Sequence, residues 1–167
     1  MTQQTFDNYL QQLDRNMAEN GFRIANPPFP GEGIARIYHN RKGVLTKFSI
    51  VDTFCPVKYL PTIRSIEELA GFSAVSYDFG LRNKGWLPRG LGGCLGVYPL
   101  LVTDQVPPDL RSFVTRHYCP KHWAAFEFPV VLELPSKAIF FYEETPLWGA
   151  AYYHGFRKEV KKLFLPW

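Results

Sequence analysis

The run Leu95–Thr103 restricts the fold more than any other part of the sequence, because nearly all of its side chains are apolar. A strand with one solvent face alternates polar and apolar residues, whereas a continuous apolar run is typical of a strand covered on both faces. Pro99 removes one backbone donor within the run, and Asp104 ends it. We therefore predict a buried strand here.

Two amphipathic helices are predicted near the ends of the chain. Apolar residues recur at helical spacing from Gln3 to Asn20, and again from about Leu147 to Leu165. Four basic residues gather on a second arc of the later helix. This arc fits a solvated helix face as well as a surface for a membrane, nucleic acid or an acidic partner, so the sequence leaves its role open.

Several shorter elements are predicted between these helices. Ile34–His39 and Val44–Asp52 are β-prone runs joined by Asn40–Gly43, which is typical of a hairpin. Phe126–Leu134 alternates apolar and polar residues and predicts a half-buried strand, in which Pro129 argues against a central parallel position. A turn then leads into a second strand, so these two runs are expected to form an antiparallel hairpin.

The middle of the chain adds two predicted helices. Ser65–Glu68 matches a capping box and predicts a short helix ending near Gly71, followed by a strand over Phe72–Phe79. Pro107 and Pro108 mark the start of a further short helix. The predicted class is a single α+β domain over residues 1–167, with a mixed, mainly antiparallel sheet packed by N- and C-terminal helices.

Composition narrows the class of protein. A chain of 167 residues buries roughly 70% of its unfolded surface, so it needs no disulfide staples. Its three cysteines are an odd number at irregular spacing, which favours free thiols in a reducing compartment. With no apolar leader or membrane-length run, a cytoplasmic location is expected. The net charge of +4 assists anionic partners without requiring them.

The segment Gly80–Gly93 is the leading candidate for function. It holds five glycines, no acid, and the cations Arg82, Lys84 and Arg89 around Trp86. Glycine-rich turns expose backbone N–H groups that attract anions, and a tryptophan can stack on a base or sugar. The segment lacks the G-x-G-x-x-G spacing of dinucleotide-binding loops. The alternative is a surface loop that needs glycine for its turns.

Three aspartates form a second candidate site. Asp52, Asp78 and Asp104 each follow an apolar, β-prone run. If those strand ends met, the carboxylates could hold Mg²⁺ or Mn²⁺ for phosphoryl transfer. The alternative is ordinary turn chemistry, since Asp side chains commonly bond the backbone where a strand ends.

A third candidate is His117-Tyr118-Cys119-Pro120-Lys121-His122. His117, Cys119 and His122 are possible zinc ligands, but a structural site needs four, so this is half a motif. The alternative is a buried thiol and two histidines that bond locally.

Three functions follow from these patterns. The favoured one is binding of an anionic or phosphorylated partner, with nucleic acid the first candidate, through the basic Gly-rich segment. The second is a divalent-metal phosphodiesterase or nuclease that uses the three aspartates, and only this function would imply a Mg²⁺ or Mn²⁺ cofactor. The third is a homo-oligomeric interaction protein, because aromatic residues make up 16% of the chain.

Overall fold

The computed structural model of the protein describes residues 3–44, 49–145 and 150–167. Within these ranges the helices are α1 (Gln3–Glu19), α2 (Ile66–Asn83), α3 (Pro108–Ser112), a π-helical turn that continues it (Phe113–His117), and α4 (Ala150–Phe164). The strands are β1 (Arg23–Ile24), β2 (Ile34–Val44), β3 (Ser49–Tyr59), β4 (Gly93–Val97), β5 (Leu100–Thr103), β6 (Lys121–His122), β7 (Ala125–Glu127), β8 (Val130–Glu133) and β9 (Ala138–Phe140).

All nine described strands belong to one sheet, which is organised around β3. β2 pairs with one side of β3 in antiparallel orientation, and β1 pairs with β2. On the other side, β4 and then β5 pair with β3 in parallel. β7 and β8 continue the sheet in parallel beyond β4 and β5, and β6 and β9 close this edge in antiparallel orientation. The described strands thus form four parallel and four antiparallel pairings, and the predicted α+β class with a mixed sheet is confirmed.

Pro56, Pro99 and Pro129 lie side by side across the parallel part of the sheet. Phe54 pairs with Val97 and Val57 with Leu100, so Pro56 stands opposite Pro99. The register of the next strand places Pro129 beside Pro99. Because proline has no N–H, each long strand loses a hydrogen bond at this level. The predicted strands over 95–103 and 126–134 are each divided into two at this row, whereas β3 continues through Pro56.

The core has a layer of helices on each face of the sheet. α1 and α4 cover one face, where Leu13, Met17 and Phe164 belong to the same buried cluster as strand residues such as Leu100. α2 and α3 cover the other face through two smaller clusters. The central strands are therefore buried on both sides, as the apolar run of β4 and β5 predicts.

α1 confirms the predicted N-terminal helix, and α4 confirms the predicted C-terminal helix from Ala150 onward, while its predicted start at Leu147 lies outside the described residues. The two helices contact each other. Tyr9 donates its hydroxyl hydrogen to the Phe164 carbonyl at 3.1 Å. The Asn16 amide donates to the carbonyls of Lys162 and Leu163, which satisfies acceptors that the end of α4 leaves open. α1 thus caps α4 and fixes the position of the second helix on the sheet.

The predicted hairpin of β2 and β3 exists, but its turn was misplaced. Asn40–Gly43 continue β2, and the ladder runs on to the pair Val44 and Ser49. Asn40 is buried and donates to the Asn20 carbonyl, so it is held by tertiary contacts rather than by a turn. Residues 45–48, including predicted strand positions, lie outside the described residues.

The predicted strand over Phe72–Phe79 is wrong, because this segment is the middle of α2. Its buried residues, for example Leu69, Phe72 and Ser76, recur at helical spacing because one face of the helix packs on the sheet. The capping box is also wrong in its contacts. Ser65 precedes the helix without a side-chain cap bond, and Glu68 instead accepts the backbone N–H of Arg64 at 2.6 Å.

The run Phe126–Leu134 is not a half-buried strand. β8 is parallel to β5, and Val130, Val131 and Leu132 are all buried, so both faces of the strand are covered. Pro129 permits this inner position because it falls at the break between β7 and β8. The predicted hairpin with the following strand is confirmed by the antiparallel pairing of β8 and β9.

Buried tyrosines give the fold a predictable response to alkali. Burial is the main cause that raises the pKa of Tyr9, Tyr38 and Tyr98 above the ordinary value. Unfolded tyrosines ionise near pH ~10, so above that pH the unfolded state releases protons that the folded state retains. The stability that depends on these phenols is therefore complete below pH ~10 and is lost as the pH rises further. The free energy of unfolding, measured with urea below and above pH ~10, should show this decline.

Phenolate absorbance provides an independent check on the same three residues. They should ionise only when the chain unfolds, after the exposed tyrosines have titrated. Simultaneous titration of all nine tyrosines in a chain that is still folded would contradict the expectation.

Candidate ligand-binding surface

The predicted Gly-rich loop is shorter in the structure than in the sequence interpretation. Residues 80–83 form the last turn of α2, and the loop proper spans residues 84–92, which we call the basic loop. It joins the end of α2 to the start of β4. Its last residue, Gly92, accepts the N–H of Ile50, so the basic loop also contacts the start of β3.

The basic loop is held closed by its own backbone. Gly93 donates to the Pro88 carbonyl, and Gly90 donates to the Gly93 carbonyl. Gly90 has φ +79°, a left-handed conformation that a side chain disfavours. Lys84 Nζ donates to the carbonyls of Gly85 and Leu87, so this cation helps to hold the backbone of the basic loop in place. These N–H groups are already used, and attraction of an anion must therefore come mainly from side chains.

Asp52 fixes the start of the basic loop to the sheet. Its buried carboxylate contacts His39 Nε2 at 2.9 Å and accepts the N–H of Gly85 at 2.9 Å. The His39 ring stacks on Phe54 at 4.4 Å, which holds the imidazole against the sheet. Beside it, the Arg41 guanidinium lies directly over Gly85, where a Cβ would come within 2.5 Å of Nη1. A side chain at position 85 would therefore have to displace the guanidinium end of Arg41, which is exposed and flexible.

A second buried carboxylate fixes the neighbouring segment. Glu127 contacts Ser73 Oγ at 2.5 Å and His122 Nε2 at 2.7 Å, and it lies 3.5 Å from the Tyr118 hydroxyl. The His122 ring stacks on Tyr77 with centroids 3.6 Å apart. Burial raises the pKa of Tyr118 and, opposed by the nearby Arg89, the pKa of Tyr77. Both phenols therefore stay neutral and keep their hydroxyl hydrogens.

Arg89 joins the basic loop to this segment. Its Nη1 donates to the Tyr77 hydroxyl at 2.8 Å and reaches the Trp123 carbonyl at 3.4 Å. The Trp123 ring also lies against Gly90, where a Cβ would be 3.0 Å from the indole nitrogen. The turn after β6 and the basic loop therefore form one continuous surface.

This surface combines exposed aromatic rings with basic side chains. Trp86 is 84% exposed, Trp123 80% and Leu91 76%. Within the described part of the chain, none of its arginines forms an ion pair with an acid. We call it the Trp86–Trp123 surface and define it by its members: Arg41, Arg82, Lys84, Trp86, Arg89, Leu91 and Trp123.

The four predicted ligand-binding residues lie at the end of α2 and on the basic loop, and three further residues of this surface were missed by the sequence interpretation. Arg82 lies exposed on the last turn of α2, next to the basic loop that carries Lys84, Trp86 and Arg89. Arg41, Leu91 and Trp123 were not selected. The surplus of aromatic residues was the one available signal for Trp123, and it did not indicate which ring is exposed.

The three predicted aspartates do not form a common site. Asp52 lies opposite Leu95 near the start of the parallel strands, whereas Asp104 follows β5 at their far end and accepts the Tyr59 hydroxyl at 2.9 Å. At about 3.3 Å per residue, the two carboxylates are separated by roughly 30 Å along the sheet. Asp78 lies on the exposed side of α2 rather than at a strand end. One ion cannot bridge them.

The residues of the predicted zinc half-motif also have separate environments. His117 is exposed, Cys119 Sγ contacts the Tyr153 hydroxyl at 2.8 Å, and His122 is bonded to Glu127. Among the described residues, no three His, Cys, Asp or Glu side chains are placed to share a metal ion. Cys55, Cys94 and Cys119 are free thiols, as the sequence predicted.

Comparison of the chain with protein-family models, curated proteins and solved structures gave no significant match. None of the helices in the described ranges has the length and apolarity needed to cross a bilayer.

Proposed function

We propose that the protein binds nucleic acid through the Trp86–Trp123 surface. The observation that carries this proposal is the presence of two exposed tryptophans beside arginines that form no ion pair with an acid within the described residues. Phosphate groups would meet the guanidinium groups, which donate in the planar geometry that phosphate oxygens accept. The reducing environment implied by three free thiols fits a cytoplasmic location for this activity.

The distribution of the cations favours a polymer over a small anion. Arg41 extends from β2, Arg82 from the end of α2, and Arg89 from the basic loop, so the positive groups come from three separate segments. A single phosphate is normally enclosed by converging donors, whereas a nucleic acid backbone presents phosphates at intervals. Most protein contacts to nucleic acid are made to that backbone.

The salt dependence of binding tests the proposal. Fluorescence anisotropy of a labelled oligonucleotide should show affinity falling steeply with salt, because bound cations release counterions. The double variant Arg41→Ala/Arg82→Ala should flatten the slope of log affinity against log salt by about 1.5, at roughly 0.7–0.9 per lost phosphate contact.

A charge-matched variant makes this test specific. Arg64→Ala/Lys158→Ala removes two exposed cations elsewhere on the chain and should leave the slope near that of the wild type. Equal loss in both double variants would mean that only net charge matters and would refute the assigned surface. Affinity that does not depend on salt would refute the proposal itself.

A further inference from the structure

We infer that the ligand is single-stranded, with bases stacked on Trp86 and Trp123; this inference rests on the proposed function and specifies its ligand. Every base has an aromatic face that can stack on an indole ring, whatever its identity. In a duplex those faces are covered by neighbouring base pairs, which leaves only phosphates and groove edges for the protein. Two exposed rings beside arginines therefore complement a single strand better than a double helix.

The exposure of these rings sets them apart from another tryptophan of the chain. Trp167 is 44% exposed and its ring lies 5.7 Å from that of Tyr9, so it packs on α1. Trp86 and Trp123 are almost entirely in solvent, and neither ring forms an aromatic pair among the described residues. Such large apolar faces usually gain their favourable burial from a partner.

The residue before each of the two tryptophans is bonded to a buried carboxylate. Trp86 follows Gly85, whose N–H is bound by the buried carboxylate of Asp52. Trp123 follows His122, which is bound by the buried carboxylate of Glu127, and its own carbonyl faces Arg89. Anchored platforms lose less conformational entropy on binding than freely moving ones.

The shape of the surface also opposes duplex recognition. A protein that reads the major groove inserts a helix or a two-stranded ribbon. Here Trp86 stands on a loop. Trp123 stands on the turn of the β6–β7 pair, whose strands have only two and three residues and whose β7 is also paired with β4, so no free ribbon projects from the sheet. α2 points its C-terminal end at this surface. The negative end of a helix dipole does not favour phosphate, so the arginines and the rings must supply the attraction.

The test compares a single strand with its own duplex on the full chain, in anisotropy titrations at one salt concentration. The single strand should bind more tightly. Trp86→Ala and Trp123→Ala should each weaken its binding about 5- to 150-fold, since stacking contributes about 1–3 kcal/mol per base and 1.4 kcal/mol is tenfold. Duplex binding should change little in either variant.

Two control variants separate stacking from other losses. Trp86→Phe keeps an aromatic face and should retain most of the single-strand affinity. Ile24→Ala removes an exposed apolar side chain from β1, outside the Trp86–Trp123 surface, and it should have little effect. Circular dichroism and thermal unfolding of each variant confirm that the fold is intact.

Each outcome decides between the alternatives. Equal affinity for both forms, with no effect of the tryptophan variants and an undiminished effect of the arginine variants, would overturn this inference and leave the proposed function standing. Absence of any binding would overturn both. Loss of self-association in the tryptophan variants, measured by sedimentation, would instead show that a second copy of the chain covers these rings.

Discussion

Glu127→Ala is expected to lower the free energy of unfolding by about 2–4 kcal/mol, because it removes the shared partner of several polar groups. Ser73 is completely buried and would lose its acceptor, and His122 would lose the carboxylate that orients its ring. The tyrosine that stacks on this imidazole also positions Arg89. Urea unfolding followed by circular dichroism measures the change.

The same substitution should also disturb the Trp86–Trp123 surface. Without its anchor, the segment that carries Trp123 should become more mobile, and oligonucleotide affinity should fall even where the chain remains folded. Glu127→Gln preserves the shape and an acceptor oxygen, so its effect on stability should be clearly smaller. Glu144→Ala, at an exposed position, should be nearly neutral. A Glu127→Ala protein as stable as the wild type would contradict this description of the network.

Gly96→Ala is expected to destabilise the fold by about 1–3 kcal/mol through overpacking. Gly96 is buried in β4, and a Cβ there would overlap the ring of Phe126 on the adjacent strand. That ring cannot retreat freely, because it stacks on Phe156 of α4 with centroids 4.2 Å apart. The added methyl group must therefore displace either the strand or the helix that covers it.

A glycine on the exposed side of α2 provides the matched control. A Cβ at Gly71 would meet no atom within 4 Å, so Gly71→Ala should stabilise the helix by about 0.5–1 kcal/mol. Adding Phe126→Leu to Gly96→Ala should recover part of the loss, and a double-mutant cycle would report that coupling. Strictly additive effects would show that the methyl group and the ring do not compete for space.

Local periodicity was sufficient to predict the terminal helices, the buried strand at 95–103 and the hairpin of β8 and β9. It failed for α2, where β-prone aromatic residues occupy helical positions that only packing on the sheet reveals. Phe72 and Tyr77 each look compatible with a strand when read locally. Whether this segment forms a helix or a strand depends on which of its side chains the rest of the fold buries. That burial cannot be seen when the sequence is read locally.

The candidate surface could be predicted only where its residues are close in sequence. Arg82 to Arg89 form a contiguous, visibly cationic segment. Arg41 and Trp123 join them from distant parts of the chain through the pairing of β2 with β3 and of β6 with β7. The prediction of an aspartate site failed because only Asp104 follows a strand, whereas Asp52 lies within β3 and Asp78 within α2.

The aligned prolines of the sheet help to set the register of its parallel strands. A shift of one strand by two residues would keep the same side chains buried, and hydrophobicity alone would not oppose it. It would, however, move Pro56, Pro99 or Pro129 out of line, so that the missing donors fell at separate levels and interrupted the hydrogen-bond ladder in more than one place. Because they lack a backbone N–H, the aligned prolines therefore disfavour sheets in which these strands pair in a shifted register.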